Sequence, residues 1–128
     1  MNEILCGKTV IIVEDEYLSV LALSDMVAYL GCEVVGHATN LGQALDLTDN
    51  AAFDIALLDI HLDGETSYPV AQQLLSREVP FLFTTGLADM GPDWCRDSLR
   101  ILKPFSKTSL ERMMMASLTP RPQDMRAD

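Results

Sequence analysis

Residues 8–16 read KTVIIVEDE. The run KTVIIV (8–13) is β-branched and apolar with no polar alternation. A strand buried on both faces needs that pattern, and burial on both faces is the condition of a parallel sheet flanked by helices. Weaker copies of the pattern follow: EVVGHA (33–38, interrupted by Gly36), DIALL (54–58), PFLFT (80–84) and the minimal RIL (100–102). The proline of the fourth run stands at its first position, where a strand tolerates it.

Between these runs the sequence turns helical. Over 15–30, Leu18, Leu21, Ala22, Met26 and Tyr29 or Leu30 recur at three- and four-residue steps, and Gly31 is a natural stop. A second helix is expected over 40–50, with Leu41, Ala44, Leu45 and Thr48 on its face. Residues 60–68 read as loop, with Asp63-Gly64 as a turn signal. Pro69 suits the first turn of a helix running to about Arg77. A short helix is expected over 87–97, cut at Gly91-Pro92, and a last one over 106–118 with Leu110, Met113, Met114 and Leu118 facing inward. Five alternating βα units make one doubly wound α/β domain over 1–118, with 119–128 expected as a tail.

Bulk properties narrow the function. A chain of 128 residues fits one domain, and an apolar fraction of 48% supports a real core. The net charge of −10 and the lack of clustered Lys or Arg argue against nucleic acid and anionic membrane as partners. Cysteines 6, 32 and 95 have no metal-ligand spacing and read as reduced thiols of a cytoplasmic protein. Neither a signal peptide nor a membrane span is expected.

In an open parallel sheet, ligands bind outside the carboxyl ends of the strands. Glu14 and Asp15 follow the first run, Asp59 the third, Thr84-Thr85 the fourth and Lys103-Pro104 the fifth. Three carboxylates at one edge repel unless a cation joins them, and hard Mg²⁺, or Mn²⁺ in its place, favours such oxygen ligands. Asp15 and Asp59 are the direct ligands expected, with Glu14 direct or through water and the His61 carbonyl as a further oxygen. Asp59 is the expected nucleophile, forming an acyl phosphate, with the Lys103 ammonium neutralising phosphoryl oxygens. A threonine hydroxyl adds a donor, and Thr84 and Thr85 compete for that role. Gly86 lets the backbone come close. A cis bond before Pro104 would aim Lys103 into the pocket.

Each piece alone has a plainer meaning. Glu14-Asp15 is ordinary charge at a helix N-terminus, Asp59 a turn former and Lys-Pro a surface turn. Their joint placement, each after its own strand, favours chemistry. His37 lacks partners for zinc, and His61 is disfavoured as a phosphoacceptor.

The motifs VIIVEDE (10–16), IALLDIHL (55–62), PFLFTTG (80–86) and LKPF (102–105) resemble, in order and separation, the receiver domain of two-component response regulators. The resemblance implies a flavodoxin-like (βα)5 sheet of strand order 2-1-3-4-5. It implies Asp59 as phosphoacceptor, Glu14 and Asp15 as the metal-binding pair, Lys103 as the lysine of the site and Thr85 as the switch hydroxyl. More narrowly, PFLFTTG resembles receivers carrying a PFxFATGY motif, with Thr84 in place of Ala and Leu87 in place of Tyr. An aromatic residue is usual three positions before the lysine, and Arg100 stands there. Thr85, Gly86, Leu87, Arg100 and Pro104 are therefore the expected switch and output residues.

The function expected is that of a single-domain response regulator. It would take its phosphoryl group from a histidine kinase or a histidine phosphotransfer protein. It would catalyse its own phosphorylation and dephosphorylation, and act on a downstream protein or in a relay, with homodimerisation open. The alternatives are a small Mg²⁺-dependent phosphohydrolase and a pseudo-receiver that binds partners without phosphorylation. The hydrolase reading lacks an acid/base aspartate at position 61, where His61 stands.

Overall fold

The structure, a computed structural model, describes residues 2–86 and 91–119. The first four residues of the helix expected at 87–97, among them the expected switch residue Leu87, and the tail from residue 120 onward fall outside them. The described elements are β1 (Thr9–Val13), α1 (Tyr17–Tyr29), β2 (Glu33–Ala38), α2 (Leu41–Asn50), β3 (Ile55–Asp59), β4 (His61–Leu62), β5 (Glu65–Thr66), α3 (Tyr68–Ser76), β6 (Phe81–Thr85), a 3-10 turn (Asp93–Cys95), β7 (Arg100–Leu102) and α4 (Lys107–Leu118).

Five parallel strands form one sheet in the order β2-β1-β3-β6-β7. With the two short strands β4 and β5 set aside, this is the 2-1-3-4-5 order expected. Strand alternation sends Val10, Ile12, Leu57 and Leu82 to one face, where α1 and α4 cover them with Val20, Leu23, Val27, Leu110 and Met114. Ile11, Val13, Leu58 and Phe83 go to the other, under α2 and α3 with Ala44, Val70, Ala71 and Leu74. Two covered faces are why β1, β3 and β6 read as unbroken apolar runs.

The β1–β3 register is clamped at its entry. Asp54 Oδ2 accepts from the Thr9 amide at 2.8 Å and the Thr9 hydroxyl at 3.1 Å. The Asp54 amide in turn donates to Thr9 O at 2.9 Å. The two bonds that Thr9 donates, led by its backbone amide, hold the Asp54 carboxyl below its ordinary range. Asn40 and Ser106 cap α2 and α4, accepting from the amides of Gln43 and Ser109.

Three expectations are corrected. α1 buries Val20, Leu23 and Val27, with Leu30 just past its end, and leaves Leu18 at 77% exposure, with Leu21 and Tyr29 also exposed. Of the expected face, Met26 and Leu30 do pack against the core. The helix is apolar nearly all round, so more than one stripe satisfied the spacing and tertiary packing shifted the buried one toward Val20, Leu23 and Val27. The segment 60–68 is not plain loop. β4 and β5 pair antiparallel, and Asp63 (φ 46°) with Gly64 (φ 86°) makes the two-residue turn. Positive φ at both centres is the hairpin geometry that Asp-Gly favours. Within 91–97 only the 3-10 turn forms, after Pro92. All three cysteines are free, with Cys32 and Cys95 buried and Cys6 exposed. Among the described residues, no helix is long and apolar enough to cross a membrane.

Candidate functional site

Because the five strands run parallel, their carboxyl ends share one edge. β1 delivers Glu14 and Asp15 there, β3 ends on Asp59, β6 ends on Thr85, and Lys103 follows β7. Carboxylate oxygens of Glu14, Asp15 and Asp59 lie within 4.8 Å of one another. Lys103 Nζ bridges two of them, at 2.6 Å from Glu14 Oε2 and 3.1 Å from Asp59 Oδ2. The Lys103 amide donates to Thr85 O at 2.7 Å, which ties β7 to β6 directly below the amine. The Lys103-Pro104 bond is cis.

Backbone amides hold the carboxylates from the other side. Glu16 donates to Glu14 Oε1 at 3.3 Å, and His61 donates to Asp59 Oδ1 at 3.3 Å. The Asp63 amide, at the tip of the β4–β5 hairpin, donates to Asp15 Oδ2 at 2.9 Å. Among the described residues, Asp15 Oδ1 is left as the carboxylate oxygen of the cluster with no hydrogen bond. Asp15 is also the most open of the three acids.

Electrostatics follow from burial. Glu14 is 2% exposed, and loss of water pushes its carboxyl up to about 7; the Asp59 charge adds to this while Lys103 opposes it. Burial pulls the Lys103 ammonium down, but its hydrogen bonds and the charges of Glu14 and Asp59 outweigh that and raise it above its ordinary value. One ammonium among three acids leaves the edge short of positive charge.

That shortage and the all-oxygen donor set fit a hard divalent cation, with Glu14, Asp15 and Asp59 as its holders. The Asp63 amide takes one oxygen of Asp15 and leaves the other for an ion, which suits single-oxygen coordination. The His61 side chain is outside the carboxylate cluster, and His61 meets Asp59 through its backbone N–H. Thr84 and Thr85 are both buried at the end of β6, on opposite faces, and Thr84 lies beside Asp59 in the strand register. Gly86 follows with open space where a side chain would be. Arg100 lies away from the cluster. Its guanidinium donates to Cys95 O at 2.7 Å and Ser98 O at 3.5 Å and lies 5.7 Å from the Phe83 ring centre. The Asp63 amide escaped the sequence reading because it acts through backbone. The Asp-Gly pair was the signal that could have found the hairpin.

A doubly wound domain with an acid cluster and one lysine at its carboxyl edge defines a class of phosphoryl-handling α/β proteins. Comparison with known proteins makes the class specific. The family model for the response regulator receiver domain matches residues 10–94, and the chain belongs to that family. No curated protein matched. Among solved structures, SdrG from Sphingomonas melonis Fr1 is similar at 33% identity and a TM-score of 0.78, over 93% of this chain and 100% of that one. The PhyR receiver domain of Erythrobacter litoralis is similar at 26% identity and a TM-score of 0.75, over 90% of this chain and 92% of that one. TrrA from Thermotoga maritima, solved with Mg²⁺ and BeF, shares the fold at 22% identity and a TM-score of 0.76, over 87% of this chain and 99% of that one.

Two outcomes test this geometry. Gly64→Val, which has room for the side chain but a φ that valine resists, should loosen the hairpin and weaken Mg²⁺ binding by roughly tenfold, as losing a group that orients a ligand does. Unchanged affinity in a calorimetric or NMR titration would show that the hairpin does not orient Asp15. In metal-free buffer, the raised Glu14 carboxyl favours the folded state while protonated. Its contribution should therefore be present below the ordinary carboxylate range and be lost as pH rises from 4.5 to about 7. Denaturant melts across that window should show the decline in wild type and a flatter profile in Glu14→Gln.

Proposed function

We propose that this domain accepts a phosphoryl group on Asp59 from a phosphohistidine protein in a Mg²⁺-dependent reaction, and returns it to water. The observation that carries the reading is the Lys103 ammonium held between Glu14 and Asp59 in a pocket of three carboxylates. An Asp59 oxygen attacks phosphorus, the P–N bond of the donor breaks, and the imidazole leaves. A cation held by Glu14, Asp15 and Asp59 supplies charge neutralisation at the phosphoryl oxygens. Lys103 exchanges its bond to Asp59 for one to a phosphoryl oxygen, and the Thr85 hydroxyl donates to another. Water then attacks phosphorus and the acyl phosphate bond breaks, restoring the carboxylate.

A protein donor is supported by the rim of the site. α1 begins two residues after Asp15 and turns Tyr17, Leu18 and Leu21 outward. A small phosphodonor has no use for an apolar rim, whereas a protein that delivers a phosphohistidine to Asp59 must rest its body there.

Intact-mass analysis after incubation with Mg²⁺ and acetyl phosphate tests the chemistry. Wild type should gain one phosphoryl group only when Mg²⁺ is present, and Asp59→Asn none. Continued turnover of a small phosphoester would instead make the protein a hydrolase. Leu18→Glu should leave the acetyl phosphate reaction intact. It should slow transfer from any phosphorylated histidine protein that serves wild type, by roughly tenfold if Leu18 is an anchor of that contact. Equal rates with both donors would remove the α1 rim from the reading.

A further inference from the structure

The ring of Tyr68 is the first side chain of α3, and it meets an aromatic cluster that reaches the surface. It packs edge-on to Phe83, with ring centres 6.1 Å apart and planes at 86°. It also packs edge-on to Trp94, at 6.1 Å and 81°. Phe83 is fully buried, touches Phe81 edge-on at 5.3 Å, and lies beneath the Arg100 guanidinium. Trp94 is 41% exposed. Gly91 has φ 68°, and a Cβ placed there would stand 2.7 Å from the Tyr68 hydroxyl. The backbone at Gly91 and the phenol therefore lie in close contact.

The other end of Tyr68 is strapped to the nucleophile. Ile60, the residue after Asp59, donates its amide to Thr84 O at 3.3 Å, and its carbonyl accepts from the Ser67 amide at 2.9 Å. The Ser67 carbonyl then accepts from the Val70 and Ala71 amides as α3 begins. Asp59 is thus separated from the Tyr68 ring by one backbone clamp. Ser67 is fully buried, yet its hydroxyl has no hydrogen-bond partner.

We propose that Tyr68 is the positioning residue that carries a change at Asp59 to the surface around Trp94 and Arg100. Its ring moves with the Ile60–Ser67 clamp and displaces Phe83, Gly91 and Trp94 together. The coupling rests on the phosphoacceptor reading above. It uses close-packed rings that have discrete arrangements, and mutational coupling evidence, not proximity, is what establishes such a route.

The test uses the full chain with Mg²⁺ and beryllofluoride as the phosphoryl mimic, reading the ¹⁹F resonance of bound beryllofluoride and the emission of Trp94, the single tryptophan in the sequence. In wild type, saturation should shift the Trp94 emission. Tyr68→Phe keeps the ring and should keep the shift. Tyr68→Leu should keep the bound ¹⁹F resonance and lose most of the shift. A full-sized shift in Tyr68→Leu would overturn the proposal. Should that variant fail to fold, wild-type NMR decides: the Tyr68 amide and the Trp94 indole must both move on saturation, and an unmoved indole overturns the coupling while leaving the phosphoacceptor reading intact. Absence of any bound ¹⁹F resonance in wild type would overturn that reading and the coupling with it.

Discussion

One ammonium shared by two buried carboxylates organises this molecule. Glu14 and Asp59 end adjacent strands, and both are nearly closed off from water. Two such charges side by side are tolerable only with a counter-charge in contact, because burial weakens solvation and strengthens repulsion together. Lys103 supplies it at 2.6 and 3.1 Å. To reach both, the lysine must leave the edge strand β7 and cross in front of β6. The bond from its own amide to Thr85 O holds it there. The strand order, the end of β6 and the placement of Lys103 are thus conditions for one another. The third acid, Asp15, takes no share of the ammonium. Its spare oxygen is where the remaining charge deficit is most open to solution, and an ion entering there meets ligands already oriented by the hairpin and the backbone.

The scaffold behind the site explains why much of it was legible in sequence. Each of β1, β3 and β6 is buried on both faces, so the three appear as unbroken apolar runs, and a charged residue at the end of such a run stands out. Glu14, Asp15 and Asp59 were readable for that reason, whereas Lys103 follows the short edge strand β7 and was read from its Lys-Pro pair and its place after the fifth run. Where a signal depends on one face of an element, it was weaker. α1 is apolar nearly all round, and its spacing fits two stripes. The structure buries the one containing Val20, Leu23 and Val27 and turns the one containing Leu18 and Leu21 outward. Only the position of the sheet separates the two.

Other features were not legible because the groups that act are not side chains, or lie far apart in sequence. The Asp63 amide holds Asp15 from 48 residues away. Its side chain says nothing of this, and only the Asp-Gly turn hints at a hairpin short enough to bring it there. Arg100 illustrates a different case, in which the partners are close in sequence but are backbone carbonyls and a buried ring. From sequence it stood out as a cation where an aromatic residue is usual in the receiver family. The structure gives the guanidinium backbone carbonyls at Cys95 and Ser98 and the face of Phe83. A planar cation can satisfy carbonyls at its edge while stacking on a ring, which a lysine cannot do as well.

That arrangement bears on what β6 can transmit. Phe83 precedes Thr84 and Thr85 and is flanked by Tyr68 from α3 and by Arg100 from β7. On one side of Phe83 the Arg100 guanidinium is held by the carbonyls of Cys95 and Ser98. On the other side Tyr68 packs closely on Gly91 and on a half-exposed indole. A displacement arriving at Phe83 therefore bears on both neighbours, and toward Tyr68 it reaches Trp94. With a cation held by backbone carbonyls where the family usually has an aromatic residue, the ring contacts at this end of the sheet run from Phe83 to Tyr68 and on to Trp94. That is also the side to which the backbone clamp from Asp59 leads.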